Sequence, residues 1–133
     1  MIGGRVLDSS ALTDAVTGKT VYTRALVQTA VEHGIILAVP AAALMATWAT
    51  VPASERPLLD LVLDTPVTVV DPLDATTARD AGVILAGGRS SGRPDLAAGQ
   101  VVLSARRRGW PVVTADPRPL RAIDLGIEIE TLP

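Results

Sequence analysis

The sequence predicts an α/β domain in which helices cover both faces of a mainly parallel sheet of four or five strands. Short apolar runs of strand length occur at 5–7, 35–39, 67–70 and 111–113. Segments with helical periodicity separate these runs, and parallel strands need crossover connections of that kind. The alternation therefore predicts a three-layer α/β/α arrangement.

Length and composition fit one domain spanning 1–133 with an aliphatic core. At 133 residues, folding buries roughly two thirds of the surface that the unfolded chain exposes. The chain has no phenylalanine, one tyrosine and two tryptophans, so it lacks the aromatic platforms on which many single-strand binders stack bases. It has no cysteine, which excludes disulfides, zinc-thiolate sites and cysteine nucleophiles.

The first strand, 5–7, ends at Asp8, and the polar run 8–10 offers N-caps for a following helix. An amphipathic helix is predicted over 20–33, and Gly34 should end it as the residue after the C-cap. The N-terminus begins directly with a strand and lacks a charged region followed by an apolar one. We therefore expect an intracellular, cytoplasmic protein.

The next segment combines a strand at 35–39 with a small-residue helix at 41–49. The stretch 34–54 contains no charged residue, and a helix of that length would be long enough to span a bilayer. Pro40 and Pro52 interrupt it, however, and a five-residue apolar run that ends at a proline is typical of a buried strand that feeds a helix. We predict the strand and helix and no membrane span.

A further helix opens at 54–57 and runs to 63, followed by a third strand at 67–70. The acidic turn 71–74 then caps a helix over 75–85. The uncharged helical surface of 41–63 exceeds what one small core needs, so we predict a homodimer that uses it.

The stretch 95–116 organises the rest of the chain. Asp95 opens an amphipathic helix over 96–107, and a Gly-Trp-Pro turn leads into a buried strand at 111–113. Asp116 lies where that strand has ended and a new helix begins, which is the usual position for chemistry in a parallel sheet. Two elements complete the prediction: a short helix at 117–122 and a half-exposed strand at 127–130.

The charge distribution does not favour general nucleic-acid binding. The net charge is −2 and the isoelectric point is near 5.2, so the whole molecule does not attract polyanions. Eight of the twelve basic residues nevertheless lie between 79 and 121, including the arginine triplet 106–108. For this triplet, a solvated helix end that complements the helix dipole is favoured over a binding patch.

Three acids occupy comparable positions: Asp8 after the first strand, Asp95 at the start of the long helix, and Asp116 after the fourth strand. Taken singly, each is explained by helix capping or by an ordinary strand-to-helix turn. Together at one edge of a sheet, three carboxylates repel one another unless a cation lies among them. Oxygen-only ligands suit Mg²⁺ or Mn²⁺, and no basic residue adjacent in sequence neutralises Asp8 or Asp116.

Other candidate sites are weaker. The glycine-rich stretch 87–92 lacks the spacing and the following Lys-Ser or Lys-Thr of a phosphate-binding loop, so a flexible loop is favoured. The only histidine, His33, lies at a predicted helix end, where pairing with the helix dipole is favoured over catalysis. Trp48 and Trp110 are expected to anchor a core or an interface.

The chain resembles a known family through four segments in order: VLDSSAL at 6–12, VP at 39–40, VVLSARR at 101–107 and VVTADP at 112–117. They are similar to those of the PIN domain, in the VapC-type toxin branch. The resemblance implies a compact α/β/α fold, a ribonuclease dependent on divalent metal, frequent homodimers, and an antitoxin partner that occupies the active-site groove.

The resemblance assigns the metal-binding and catalytic acids to Asp8, Asp95 and Asp116, with Ser10 and Thr114 as supporting hydroxyls. Two acids of the family pattern are missing. Alanine stands at 46, where the family has a glutamate six residues after the proline of the second strand, and at 98, where it usually has an acid just before the apolar helical run. Gly99-Gln100 also replaces a common Ala-His or Ala-Leu pair.

Three readings of function follow from these residues. The leading one is a VapC-like, Mg²⁺- or Mn²⁺-dependent endoribonuclease with reduced activity and RNA as substrate. The alternative is a catalytically silent PIN module that acts by binding a partner or by dimerising. The third drops the family and leaves an α/β domain with well-capped helices.

Overall fold

The computed structural model describes residues 3–88 and 92–133, in which five strands alternate with helices. The strands are β1 (Gly4–Leu7), β2 (Ile36–Pro40), β3 (Thr68–Asp71), β4 (Val112–Thr114) and β5 (Ile129–Thr131). The helices are α1 (Ser9–Thr17), α2 (Tyr22–His33), α3 (Ala41–Thr50), α4 (Arg56–Leu63), α5 (Ala75–Ala86), α6 (Leu96–Arg108) and α7 (Arg118–Ile123). A 3₁₀ turn, Ala53–Glu55, precedes α4.

The five strands form one sheet in the order β3-β2-β1-β4-β5, and every neighbouring pair is parallel. The predicted α/β class and mainly parallel sheet are confirmed. From β1 the chain first builds the sheet to one side, through β2 and β3, and later to the other side, through β4 and β5. The order therefore reverses between β1 and β4, and parallel sheets bind ligands in the crevice at the carboxyl ends of such strands.

Both faces of the sheet are covered, because neighbouring residues of each central strand enter different cores. Leu7 of β1 and Val113 of β4 pack in one cluster with residues of α1, α2 and α4. Val6 and Val112 pack in a second cluster with residues of α3, α6 and α7. Successive strand residues point to opposite faces, so these two clusters are the two helix-covered sides of a three-layer domain.

Most predicted elements occur within one or two residues of their expected bounds, and the differences have local causes. The first helix starts at Ser9 because Asp8 itself is the N-cap. The last strand begins two residues later than predicted, because the N–H of Ile127 donates to the carbonyl of Asp124 in a turn. Gly34 ends α2 with φ of 70°, the left-handed conformation predicted for it.

The uncharged stretch 34–54 forms β2, α3 and the turn that follows, as predicted. Among residues 3–88 and 92–133, no helix is long and apolar enough to cross a membrane.

Candidate functional site

A pocket of about 150 Å³ opens at the carboxyl edge of the sheet, where β1 and β4 end. The three predicted acids, Asp8, Asp95 and Asp116, all border this acid pocket. The same wall includes the two predicted hydroxyl residues, Ser10 and Thr114. The remaining lining is mostly apolar and consists of Ser9, Ala43, Ala97, Ala98, Val101, Pro119 and Leu120.

Asp8 is both a helix cap and a pocket residue. Its Oδ1 accepts hydrogen bonds from the backbone N–H of Ala11 at 2.9 Å and from the hydroxyl of Ser10 at 2.6 Å. Burial raises the pKa of Asp8 above its ordinary value, and the hydrogen bonds from Ser10 and Ala11 offset only part of that effect. A nearby cation would therefore favour the ionised form of this carboxyl group.

A hydroxyl pair connects the end of β4 to the start of α1. The Ser10 hydroxyl lies 3.3 Å from that of Thr114 and accepts a hydrogen bond from the N–H of Ala115 at 2.8 Å. Thr114 is fully buried, and its Oγ1 both accepts from the N–H of Asp116 and donates to the carbonyl of Asp116, at 3.1 Å each. These contacts connect Asp8, which follows β1, to the segment after β4 that carries Asp116.

Asp95 caps α6, as predicted, and accepts a hydrogen bond from the N–H of Ala98 at 3.0 Å through Oδ1. The N-terminus of a helix carries a partial positive charge, so an acidic side chain interacts favourably with this end of α6. The capping explanation therefore holds for Asp8 and Asp95, and it coexists with their position in the acid pocket.

Asp116 is neutralised by Arg118. The prediction from sequence concerned only residues adjacent in sequence and therefore missed this partner. Arg118 donates from Nε to Oδ1 and from Nη2 to Oδ2 of Asp116, both at 2.9 Å. The backbone N–H of Arg118 adds a third hydrogen bond, at 3.1 Å. The bonds and charge of Arg118 lower the pKa of Asp116 below its ordinary value. The partner lies two residues away, across Pro117, rather than adjacent in sequence.

The donor set suits one hard divalent cation but is not assembled around a common point. In the described part of the chain, no group of three or more His, Asp or Glu side chains is close enough to hold a metal ion. The carboxylates border one pocket, but Asp116 is turned towards Arg118. Mg²⁺ commonly takes one or two carboxylates and keeps several waters, so a set of fewer than three converging carboxylates does not exclude such an ion.

The two alanines that replace family acids lie differently with respect to the acid pocket. Ala98 lines it directly, in the first turn of α6. Ala46 is not among the lining residues. On α3 the lining residue is Ala43, which lies one turn before Ala46 on the same side of the helix.

Sequence reasoning missed the role of Gln100, which it noted only as a departure from the family pattern. The side chain is 1% exposed and accepts a hydrogen bond from the N–H of Ala42, at the start of α3, at 2.8 Å. Its amide donates to the carbonyls of Asp71 and Pro72, at 3.1 and 3.2 Å. Gln100 thus joins α6, α3 and the end of β3 behind the acid pocket.

The arginine triplet 106–108 does not form an unpaired basic patch, because each member pairs with a different acid. The pairs are Arg106–Asp124, Arg107–Asp80 and Arg108–Asp71. Burial raises the pKa of Asp71, but the hydrogen bonds and charge of Arg108 outweigh it and leave that pKa below the ordinary value. The guanidinium of Arg108 also lies 5.0 Å from the ring centroid of Trp110. The triplet lies in the last turn of α6, as predicted, but it is held by ion pairs and is not simply solvated.

The weaker candidates stay outside the site. His33 is the last residue of α2, as predicted. Trp110 packs against the second core cluster, whereas Trp48 lies on an apolar groove of α3 with Arg56 above its ring at 5.7 Å. The predicted flexible loop at 87–92 includes 89–91, which lie outside the described residues.

No protein-family model matches this chain. No curated protein matches it either. Solved structures resemble it over nearly its whole length at low identity, so their similarity concerns the fold.

VapBC2 from Rickettsia felis, crystallised with a DNA fragment from the promoter, aligns with a TM-score of 0.67 at 13% identity, over 96% of this chain and 98% of that one. PAE2754 from Pyrobaculum aerophilum aligns with a TM-score of 0.57 at 20% identity, over 96% and 83% of the two chains. A domain of a functionally unknown Methanocaldococcus jannaschii protein aligns at 0.56 and 12% identity, over 98% and 91%. Together with the strand order and the two-sided core, these alignments establish that the chain has the PIN-domain fold of the VapC type.

Proposed function

We propose that this protein is a VapC-like PIN-fold endoribonuclease of reduced activity, which binds one Mg²⁺ or Mn²⁺ ion in the acid pocket. The observation that supports it best is that Asp8, Asp95 and Asp116 border one pocket at the point where the strand order reverses. A divalent ion held there would supply Lewis acidity towards a phosphodiester oxygen and would lower the pKa of a bound water.

The charge balance limits the proposed site to one ion. Three carboxylates bring a charge of −3, whereas two divalent ions bring +4. Ala46 and Ala98 provide none of the oxygen ligands that a second ion needs. In two-metal nucleases the second ion stabilises negative charge on the leaving oxygen, and a site with one ion lacks that stabilisation. We therefore expect slow RNA cleavage.

We expect Asp8→Asn to abolish Mn²⁺ binding, because asparagine removes the negative charge while its side-chain oxygen still caps α1. Since burial raises the pKa of Asp8, ionised Asp8 costs stability at neutral pH, and that cost is absent below its unfolded pKa. The neutral asparagine should thus leave the melting temperature unchanged or higher. Isothermal calorimetry with Mn²⁺ and a thermal melt measure both effects.

Asp74→Asn is the matched control for this variant. Asp74 caps α5 through the same contact, a hydrogen bond from the N–H of Thr77 at 2.8 Å, but it does not border the acid pocket. Mn²⁺ binding should survive in this control. If Asp8→Asn binds Mn²⁺ as tightly as the natural protein does, Asp8 is only a cap and the proposed site is wrong.

A second candidate function is a catalytically silent PIN module that acts through partner binding or dimerisation. Two observations favour it: Arg118 neutralises Asp116, and α3 and α4 each expose large apolar residues. Met45 is 66% exposed on an apolar groove of α3, and Leu61 on α4 is 64% exposed. Because the chain has the fold of the VapBC2 structure from Rickettsia felis, we propose an antitoxin as the partner. Single-stranded RNA left intact in saturating Mn²⁺ would favour this candidate over the nuclease.

We expect two copies of the chain to form a homodimer through the exposed apolar residues of α3 and α4. Burying Met45, Trp48 and Leu61 against a second copy removes apolar area from water. Light scattering at tens of micromolar should give twice the mass of one chain, and Met45→Glu should reduce it to one. Val83→Glu is the control, because Val83 is an equally exposed apolar residue on α5. A monomeric mass for the natural protein would contradict the prediction.

A further inference from the structure

Asp116, on the border of the acid pocket, is paired with Arg118, a cationic residue of the same chain. Both carboxylate oxygens accept from the guanidinium at 2.9 Å, and Oδ1 also accepts from the backbone N–H of Arg118. A guanidinium has five donors in a fixed fork and no acceptor, so it matches a carboxylate through two parallel bonds. In this arrangement both oxygens of Asp116 already have a cationic partner.

The backbone between the two residues prepares this contact. Pro117 has φ of −73° and is the N-cap of α7, so the turn that brings the two side chains together is restricted before they meet. The Arg118 side chain is 88% exposed, and isolated pairs that exposed are weak. Here the bidentate geometry and the restricted turn reduce the ordering cost that such a pair normally carries.

The pair faces a pocket that already contains two other carboxylates. Asp8 and Asp95 line the same cavity, whereas Arg118 is not among the residues that line it. Arginine stays protonated at every pH at which the protein is folded, so loss of a proton from the guanidinium cannot release Asp116. While Asp116 is ionised, another cation can release it by competing for the same two oxygens.

We propose that Arg118 acts as a built-in competitor of the divalent cation: its guanidinium occupies the carboxylate of Asp116 and so sets the affinity of the acid pocket for Mg²⁺ or Mn²⁺. This inference rests on the proposed function, because it concerns the same cation site. The Arg118 side chain is exposed and does not pack in the core, so neither helix capping nor core packing explains why an arginine stands at this position.

The test is Mn²⁺ titration of Arg118→Gln by calorimetry, with free Mn²⁺ followed by electron paramagnetic resonance. Removing the guanidinium should tighten binding about fivefold, the upper range for an exposed ion pair. Arg118→Lys should lie between the two, because lysine keeps the charge but lacks the planar fork. Arg121→Gln is the control, as it removes the same charge from the same helix.

A second readout does not require metal. In Arg118→Gln, the pKa of Asp116, followed by carboxyl chemical shifts, should rise towards its ordinary value, and in Arg121→Gln it should not. If the pKa of Asp116 does not rise in Arg118→Gln, the proposed competition is overturned. It is also overturned if the two variants tighten Mn²⁺ binding equally, because net charge alone would then explain the affinity. If the natural protein binds Mn²⁺ and Arg118→Gln binds it no better, the competition fails while the proposed cation site stands. If neither binds Mn²⁺, both fail.

Discussion

Gln100→Leu should destabilise the protein by about 3 kcal/mol, because it leaves the buried N–H of Ala42 and two partly buried carbonyls without their partner. The glutamine accepts from the N–H of Ala42 and donates to the carbonyls of Asp71 and Pro72. Leucine has nearly the same volume, so little cavity forms and the loss is mainly polar. Urea unfolding, followed by circular dichroism, measures the change in the free energy of unfolding.

Gln28→Leu is the control, since Gln28 lies exposed on α2 and contacts only Glu32, at 3.2 Å. A surface change of this kind is expected to stay within about 0.5 kcal/mol of the natural protein. A loss below about 1 kcal/mol for Gln100→Leu would mean that the freed groups find other partners. The role assigned to Gln100 behind the acid pocket would then be wrong.

The elements and the positions of the acids could be predicted because both depend on local signals. An apolar run followed by a polar cap marks the end of a strand, and Asp8 and Asp95 proved to be such caps. The carboxyl ends of parallel strands lie at one edge of the sheet. Asp116 could therefore be predicted to lie near the other two acids, as it does, even though the strand order was not known from the sequence.

What could not be predicted depends on contacts between distant residues or on the direction of a side chain. Gln100 bonds to groups 58, 29 and 28 residues away, and no local pattern distinguishes such a residue from an exposed helical glutamine. The turn of the Asp116 side chain towards Arg118 is local, but the sequence alone does not say whether an arginine two residues on points to solvent or to the carboxylate. A signal was available there, since a proline between an acid and a base restricts the turn.

The alignment of Ala46 and Ala98 with two missing acids stays a prediction, and it has the largest expected effect on activity. Ala98→Asp adds a carboxylate to the lining of the acid pocket, and Ala46→Glu adds one from the turn of α3 that follows the lining residue Ala43. The two changes raise the carboxylate charge from −3 to −5 and supply oxygen ligands for a second ion. Ala98 already lines the acid pocket in the first turn of α6, where an acid interacts favourably with the helix dipole. Glutamate has good helix propensity at Ala46, in the middle of α3.

We expect the double variant to cleave single-stranded RNA in Mn²⁺ at least about tenfold faster than the natural sequence, because a second ion stabilises charge on the leaving oxygen. The added Asp116→Asn should remove this gain.

The double variant should also respond more strongly to metal in a thermal melt. Five carboxylates repel one another without metal, so Mn²⁺ should raise the melting temperature of the double variant more than that of the natural protein. The matched control adds the same two charges elsewhere: Ala25→Glu in α2 and Ala78→Asp in the first turn of α5, both at exposed positions. Equal cleavage rates for the natural protein and the folded, metal-loaded double variant would show that 46 and 98 do not align with the metal site.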